Sequence, residues 1–187
     1  NTPGVWVNSI IANRCNEITI ENTYTKNSHI ATLARSSYSC CCQIIEGCTN
    51  PIVKNTYAID GSVVGDGGHN GGFMSCNFGL AEIENCFSNI DVYGNTTAGV
   101  FMGVSHGATN FKNCFTTGKI EGTNSLGGFA GPVDSVAGSA PYNQSFENCY
   151  STALVGIVGK PINVGGFFAT DTGHAISLKN CYTAGEV

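Results

Sequence analysis

Ile83-Glu84-Asn85-Cys86-Phe87 is answered further along the chain by Phe111-Lys112-Asn113-Cys114-Phe115, and this pair of phrases decides the fold. The shared pattern is apolar, charged, Asn, Cys or Thr, aromatic. Working outward, the same phrase stands at Val53-Lys54-Asn55-Thr56-Tyr57 and Ile20-Glu21-Asn22-Thr23-Tyr24 on one side. On the other side it stands at Phe146-Glu147-Asn148-Cys149-Tyr150 and Leu178-Lys179-Asn180-Cys181-Tyr182. Successive Asn residues are 33, 30, 28, 35 and 32 positions apart. A period of this length marks a chain made by stacking one unit, each copy burying its apolar face against the next.

Within one unit, Cys114, Thr116, Gly118 and Ile120 alternate with Phe115, Thr117 and Lys119, the period-2 signature of a strand. A turn cluster at 121–125 and a glycine element, Gly127-Gly128-Phe129-Ala130-Gly131, follow. That element recurs as Gly71-Gly72-Phe73 and Gly165-Gly166-Phe167, with Ala98-Gly99-Val100 as a weaker copy. The first full unit has Tyr38-Ser39-Cys40 near that place. A helical pair is rejected: no segment carries helical apolar spacing, and each interior glycine would destabilise a helix by roughly 1 kcal/mol. The expected fold is all-β. It is a single-domain parallel β-helix over residues 1–187, right-handed, with about six coils of 28–35 residues and three short strands per coil. The chain is either a whole subunit or an excised part of a longer array.

The repeated Asn residues (Asn22, Asn55, Asn85, Asn113, Asn148, Asn180) suit a bend, because Asn tolerates left-handed backbone. Their amides can also bond to copies above and below. The preceding residues read Glu21, Lys54, Glu84, Lys112, Glu147, Lys179, alternating in sign. Stacked strands lie about 4.8 Å apart, where opposite charges attract and like charges repel. Strict alternation is therefore expected of a single outward column with one coil per repeat.

The ten cysteines are many for this length. Cys86, Cys114, Cys149 and Cys181 follow their Asn. Cys15 and Cys48 both lie seven residues before theirs. An even count at related positions suggests disulfides in an oxidising compartment: Cys86–Cys114, Cys149–Cys181 and Cys15–Cys48, with Cys40, Cys41 and Cys42 contacting Cys76. The alternative is a ladder of reduced, buried thiols. A metal site is not expected, because the contiguous Cys40–Cys42 run lacks the usual ligand spacing. Asn95-Thr96-Thr97 and Asn143-Gln144-Ser145 are glycosylation acceptors in a secreted eukaryotic chain.

The glycine element at 127–131, the phrase Phe146-Glu147-Asn148-Cys149-Tyr150-Ser151 and the closing stretch 178–187 resemble the GLUG repeat. The resemblance covers residues 52–187 well and 1–51 loosely. It implies a β-solenoid on a large extracellular or cell-surface protein, of the kind related to immunoglobulin-A peptidases or adhesins. It transfers no catalytic residue, and the cysteine richness departs from the commonest form of the repeat.

Composition narrows the function. With a net charge of −5 and only eight Lys and Arg, the chain lacks the basic surface that nucleic acid demands. No apolar run reaches the ~20 residues of a membrane span. The acids outside the charge column (Glu17, Glu46, Asp60, Asp66, Glu82, Asp91, Glu121, Asp134, Asp171, Glu186) share no repeat position. Asp60 and Asp66 are the best candidate pair for polysaccharide chemistry. His106 and His174 are read as isolated surface residues, and no catalytic set, cofactor or metal is expected. The aromatic column Tyr24, Tyr57, Phe87, Phe115, Tyr150, Tyr182 is expected to be a packed stacking ladder; exposed, it would bind sugars or another filament. The chain opens on Gly4-Val5-Trp6, a copy of the glycine element, and stops after the first strand of a unit, so a second copy would continue the series. The resulting expectation is an extracellular, non-enzymatic structural or adhesive solenoid that associates head to tail or with neighbouring repeats. The alternative is a carbohydrate-binding or polysaccharide-degrading β-helix.

Overall fold

A computed structural model describes residues 7–32, 40–133, 142–159, 163–170 and 175–187. Among them there is no helix, and the strand pairings of the stacked sheets are parallel. The chain winds as a β-solenoid with three long sheets, each named here for its content. The charge sheet stacks Thr19–Glu21, Ile52–Lys54, Leu80–Glu84, Ala108–Lys112, Gln144–Glu147 and Ile176–Lys179. The aromatic sheet contains Tyr57–Gly65, Phe87–Gly94, Phe115–Thr117 and Tyr150–Ser151, ending at Tyr182–Thr183. The glycine sheet stacks Val7–Asn8, Cys40–Cys41, His69–Gly71, Thr97–Gly99, Ser125–Gly127 and Asn163–Gly165. Six stacked strands enclose about five turns rather than the six coils expected, because the six Asn residues count corners and not circuits.

Each Asn turns the chain from the charge sheet into the aromatic sheet. All six have left-handed backbone, with φ between 49° and 55°. Their side chains form an unbroken ladder. Each amide Nδ2 donates to the Oδ1 of the preceding coil: Asn55 to Asn22 (3.2 Å), Asn85 to Asn55 (3.2 Å), Asn113 to Asn85 (2.9 Å), Asn148 to Asn113 (3.0 Å) and Asn180 to Asn148 (3.0 Å). Both properties expected of this residue are present at every corner.

The core follows from alternation. Val53, Ile83, Phe111 and Phe146 point inward from the charge sheet. Across from them stand the phenylalanines of the glycine element: Phe73, Phe101 and Phe129 are fully buried and Phe167 is partly so. Phe73–Phe101, Phe101–Phe129 and Phe129–Phe167 stack at 4.4, 4.9 and 4.9 Å. The edges of Phe111 and Phe146 meet this stack in T-shaped contacts at 5.4–5.8 Å, a geometry favoured by the ring quadrupole.

The third copy of the glycine element is Gly99-Val100-Phe101, one residue beyond the Ala98-Gly99-Val100 expected, since Gly99 pairs with both Gly71 and Gly127. In the coil before Gly71 the register gives Cys42-Gln43-Ile44; Tyr38, Ser39 and Gly4–Trp6 lie outside the described residues. A Cβ on Gly71, Gly127 or Gly165 would strike the carbonyl oxygen three residues on, at Met74, Ala130 and Phe168 respectively. Where glycine is absent, the side chain bonds that carbonyl instead: the Cys42 thiol donates to Ile45 O (2.9 Å) and the Ser9 hydroxyl to Ala12 O (2.7 Å).

The corner generates a direct test. Asn113→Ala loses two ladder bonds and forces a left-handed alanine, so unfolding in urea should report a loss of about 2–4 kcal/mol. Asn113→Gly keeps the corner geometry and loses only the ladder, so it should lose roughly half as much. Equal losses would mean that the left-handed backbone is unimportant.

Candidate functional site

The outer surface of the aromatic sheet gathers the most groups suited to recognition. Cys86, Ser88, Ile90 and Val92 face the core, so Phe87, Asn89, Asp91 and Tyr93 face out. The register carries this parity through the stack: Tyr24, Tyr57, Phe87, Phe115, Tyr150 and Tyr182 are Cα partners in sequence. The column is therefore a surface stripe and not interior packing. Tyr24, Tyr57 and Tyr182 are 65%, 39% and 55% exposed, and the central three are half-buried because their rings cover one another. Phe87–Phe115, Phe115–Tyr150 and Tyr150–Tyr182 stack at 4.3, 4.9 and 5.0 Å. Burial in this stack pushes the Tyr150 hydroxyl above its ordinary range.

Beside the stripe is a shallow depression of about 340 Å³ lined by His29, Asp60, Ser62, Asn89 and Asp91. His29 Nδ1 lies 2.9 Å from Ser62 Oγ, and Asn89 Nδ2 donates to Asp60 Oδ1 at 3.4 Å. Asp91 Oδ1 accepts from the Lys119 backbone N–H at 3.0 Å. Asp60 and Asp66 stand six residues apart along one extended segment, roughly 18–20 Å. A glycosidase pair needs about 5–9.5 Å, so the geometry does not join these two. Asp66 accepts from Asn95 Nδ2 (2.8 Å). Asn95 and Asn143 are both exposed, as a glycosylation acceptor must be.

The charge column occupies the neighbouring sheet. Glu21, Lys54, Glu84, Lys112, Glu147 and Lys179 are consecutive Cα partners. Glu84 lies 3.7 Å from Lys54 and 4.0 Å from Lys112, and Lys179 lies 2.6 Å from Glu147. The Lys179 ammonium holds the Glu147 carboxyl below its usual range. A parallel outward row joins Glu82, Asn110 and Ser145 through bonds of 3.0 and 2.7 Å. These exposed pairs fix register more than they add stability.

The cysteines require a correction. All ten are free thiols, and none of the expected disulfides is formed. The reason is local. Each thiol of the column donates across its corner to the carbonyl two residues back: Cys86 to Glu84 (3.2 Å), and Cys114, Cys149 and Cys181 to Lys112, Glu147 and Lys179 (3.3 Å each). Thr23 and Thr56 make the same bond through their hydroxyls at 2.9 Å. The position calls for a small side chain with a proton to donate, which is why Thr and Cys interchange there. Burial pushes the Cys114 thiol well up. Cys15 N–H donates to Cys48 Sγ (3.3 Å), so that pair is adjacent though unbonded, and burial pushes Cys48 up to about 11. Cys41 and Cys42 are fully buried, while Cys40 and Cys76 pack with Val104 in a separate small cluster, giving the contact expected between the run and Cys76.

Sequence reading also missed a histidine pair. His106 is not isolated: its Nε2 lies 3.3 Å from His69 Nε2, and its ring stacks on Phe78 at 5.7 Å. His69 Nδ1 lies 2.7 Å from Thr97 Oγ1. Aligning the coils on Phe73 and Phe101 places His106 over Phe78 and His69 over Thr97, which reveals the ring stack but not the histidine pair. His174, Asp134 and Asp171 lie outside the described residues. No helix among the described residues is long and apolar enough to cross a membrane.

The thiol column makes a pH-dependent prediction. The folded Cys114 pKa is raised, so its contribution is complete below the unfolded value of about 8.5 and is lost as pH rises toward the folded one. Urea midpoints should fall with increasing alkalinity. Cys114→Thr should stay within about 1 kcal/mol of the parent at neutral pH and flatten that fall. A large loss at neutral pH would contradict the interchange of Thr and Cys.

Compared with known proteins, the chain matches no family model, no curated protein and no solved structure.

Proposed function

We propose that this chain is an extracellular or cell-surface structural and adhesive β-solenoid that makes contact through its outer aromatic stripe. The stripe itself is the observation that carries the reading. Six aromatic residues run in register along an exposed sheet, and contiguous apolar surface of this kind marks interaction sites. Its repeat of about 4.8 Å suits an extended, repetitive partner better than a compact one. Eight of the ten thiols are buried, Cys15 and Cys181 being half-exposed, and limited access slows oxidation of the buried ones in an oxidising exterior. Head-to-tail association, which would carry the parallel stacking of one copy into the next, is the proposed mode of assembly.

Carbohydrate binding is the second reading. The depression holding His29, Asp60, Ser62, Asn89 and Asp91 favours it, since it sets polar groups beside an aromatic platform.

Phe115→Ser combined with Tyr150→Ser tests both readings. Adhesion of protein-coated beads to cells and filament formation by electron microscopy are measured alongside glycan-array binding. Adhesion should fall at least about tenfold, the loss of roughly 1.4 kcal/mol of contact, with the fold retained. Unchanged adhesion would reject the stripe. Glycan binding that disappears in the double variant would select the carbohydrate reading.

A further inference from the structure

We propose that Cys40, Cys76 and Glu46 form a binding site for a thiophilic divalent cation, with zinc the best match, and that the ion ties two adjacent coils together. The two sulfurs and a carboxylate oxygen all lie within 4.8 Å of one another. Ligands around tetrahedral zinc are separated by roughly 3.3–3.8 Å, given bonds of 2.0–2.3 Å, so small side-chain rotations close the site. All three residues are buried, at 6%, 3% and 3% exposure for Cys40, Cys76 and Glu46.

The carboxylate supplies an independent indication. Glu46 Oε2 is buried and has no hydrogen-bond partner among the described residues, a condition that native interiors rarely tolerate and that a cation removes. Burial, opposed by the Arg14 guanidinium, pushes the Glu46 carboxyl up to about 6. The sulfurs are already paired: the bond from Cys76 holds the Cys40 thiol below its ordinary range and, with burial, pushes Cys76 well up. Binding would release both thiol protons. Two thiolates, one carboxylate and a dication leave one net negative charge, which Arg14 partly offsets. Two sulfur ligands select zinc over calcium or magnesium. A fourth position remains for water.

The backbone presents these ligands rigidly. Cys40 lies on the glycine sheet, and Glu46 pairs with Asn13 in a short two-stranded ladder. Gly47 N–H donates to Cys76 O (3.1 Å), and Ser75 N–H to Ile45 O (3.2 Å), clamping the two segments on either side of the site. Cys40 and Cys76 come from successive coils, which explains why no ligand motif is visible along the chain.

The full chain, purified reduced and metal-free, is titrated with zinc and with cobalt(II). One equivalent should bind, and the cobalt form should show a thiolate charge-transfer band with tetrahedral absorption. Cys40→Ser and Cys76→Ser should each weaken binding by more than about tenfold. Glu46→Gln should weaken it while keeping the thiolate band, and Cys149→Thr should leave it unchanged. The proposal is overturned if no equivalent binds, if the cobalt form lacks the thiolate band, or if neither serine variant alters affinity. A Cys40–Cys76 disulfide in protein isolated without reductant would also overturn it. Should a serine variant fail to fold, Glu46→Gln and the parent's cobalt spectrum still decide.

Discussion

The left-handed asparagine corner is the constraint on which the other features depend. A chain that turns at the same residue in every coil, with the same φ, returns each strand to the same height and phase. The amide ladder then locks neighbouring corners at one spacing. Everything in register with the corner becomes a column: charges one residue before it, thiols or hydroxyls one after, aromatics two after. A single irregular corner would flip the parity of the following strand and send its apolar residues outward.

The second constraint is the glycine element, which acts from the opposite side of the coil. Its first glycine lets the chain fold back against a carbonyl three residues on, a path that a Cβ would block. The phenylalanine two residues later is thereby aimed into the centre. Together the corner and this turn set the two walls between which Phe73, Phe101 and Phe129 interleave with Phe111 and Phe146. Length variation falls between these fixed points and leaves both walls intact.

Much of this was legible in the sequence because stacking converts a period into a neighbourhood. The Asn corners, the sign-alternating column and the parallel three-strand coil all follow from residues that repeat. What escaped was of three kinds. Alternation gives parity but not which parity faces water after a bend, so the exposure of Tyr57 and its column was not readable. Thiol pairing was misjudged because proximity was inferred without the competing carbonyl two residues back; the Thr23 and Thr56 copies carried that clue. Groups occurring once, such as Glu46 with Cys76 or His69 with His106, had no repetition to reveal them and depend on loop paths between the columns.

The amide ladder has a direction. Every Nδ2–H points toward the earlier coil and every Oδ1 toward the later one, so the side-chain dipoles add along one edge of the solenoid instead of cancelling. A coil offered the right way up meets a donor with an acceptor; one offered inverted sets like against like. The edge is thus a vector, and anything that extends it must adopt its sense.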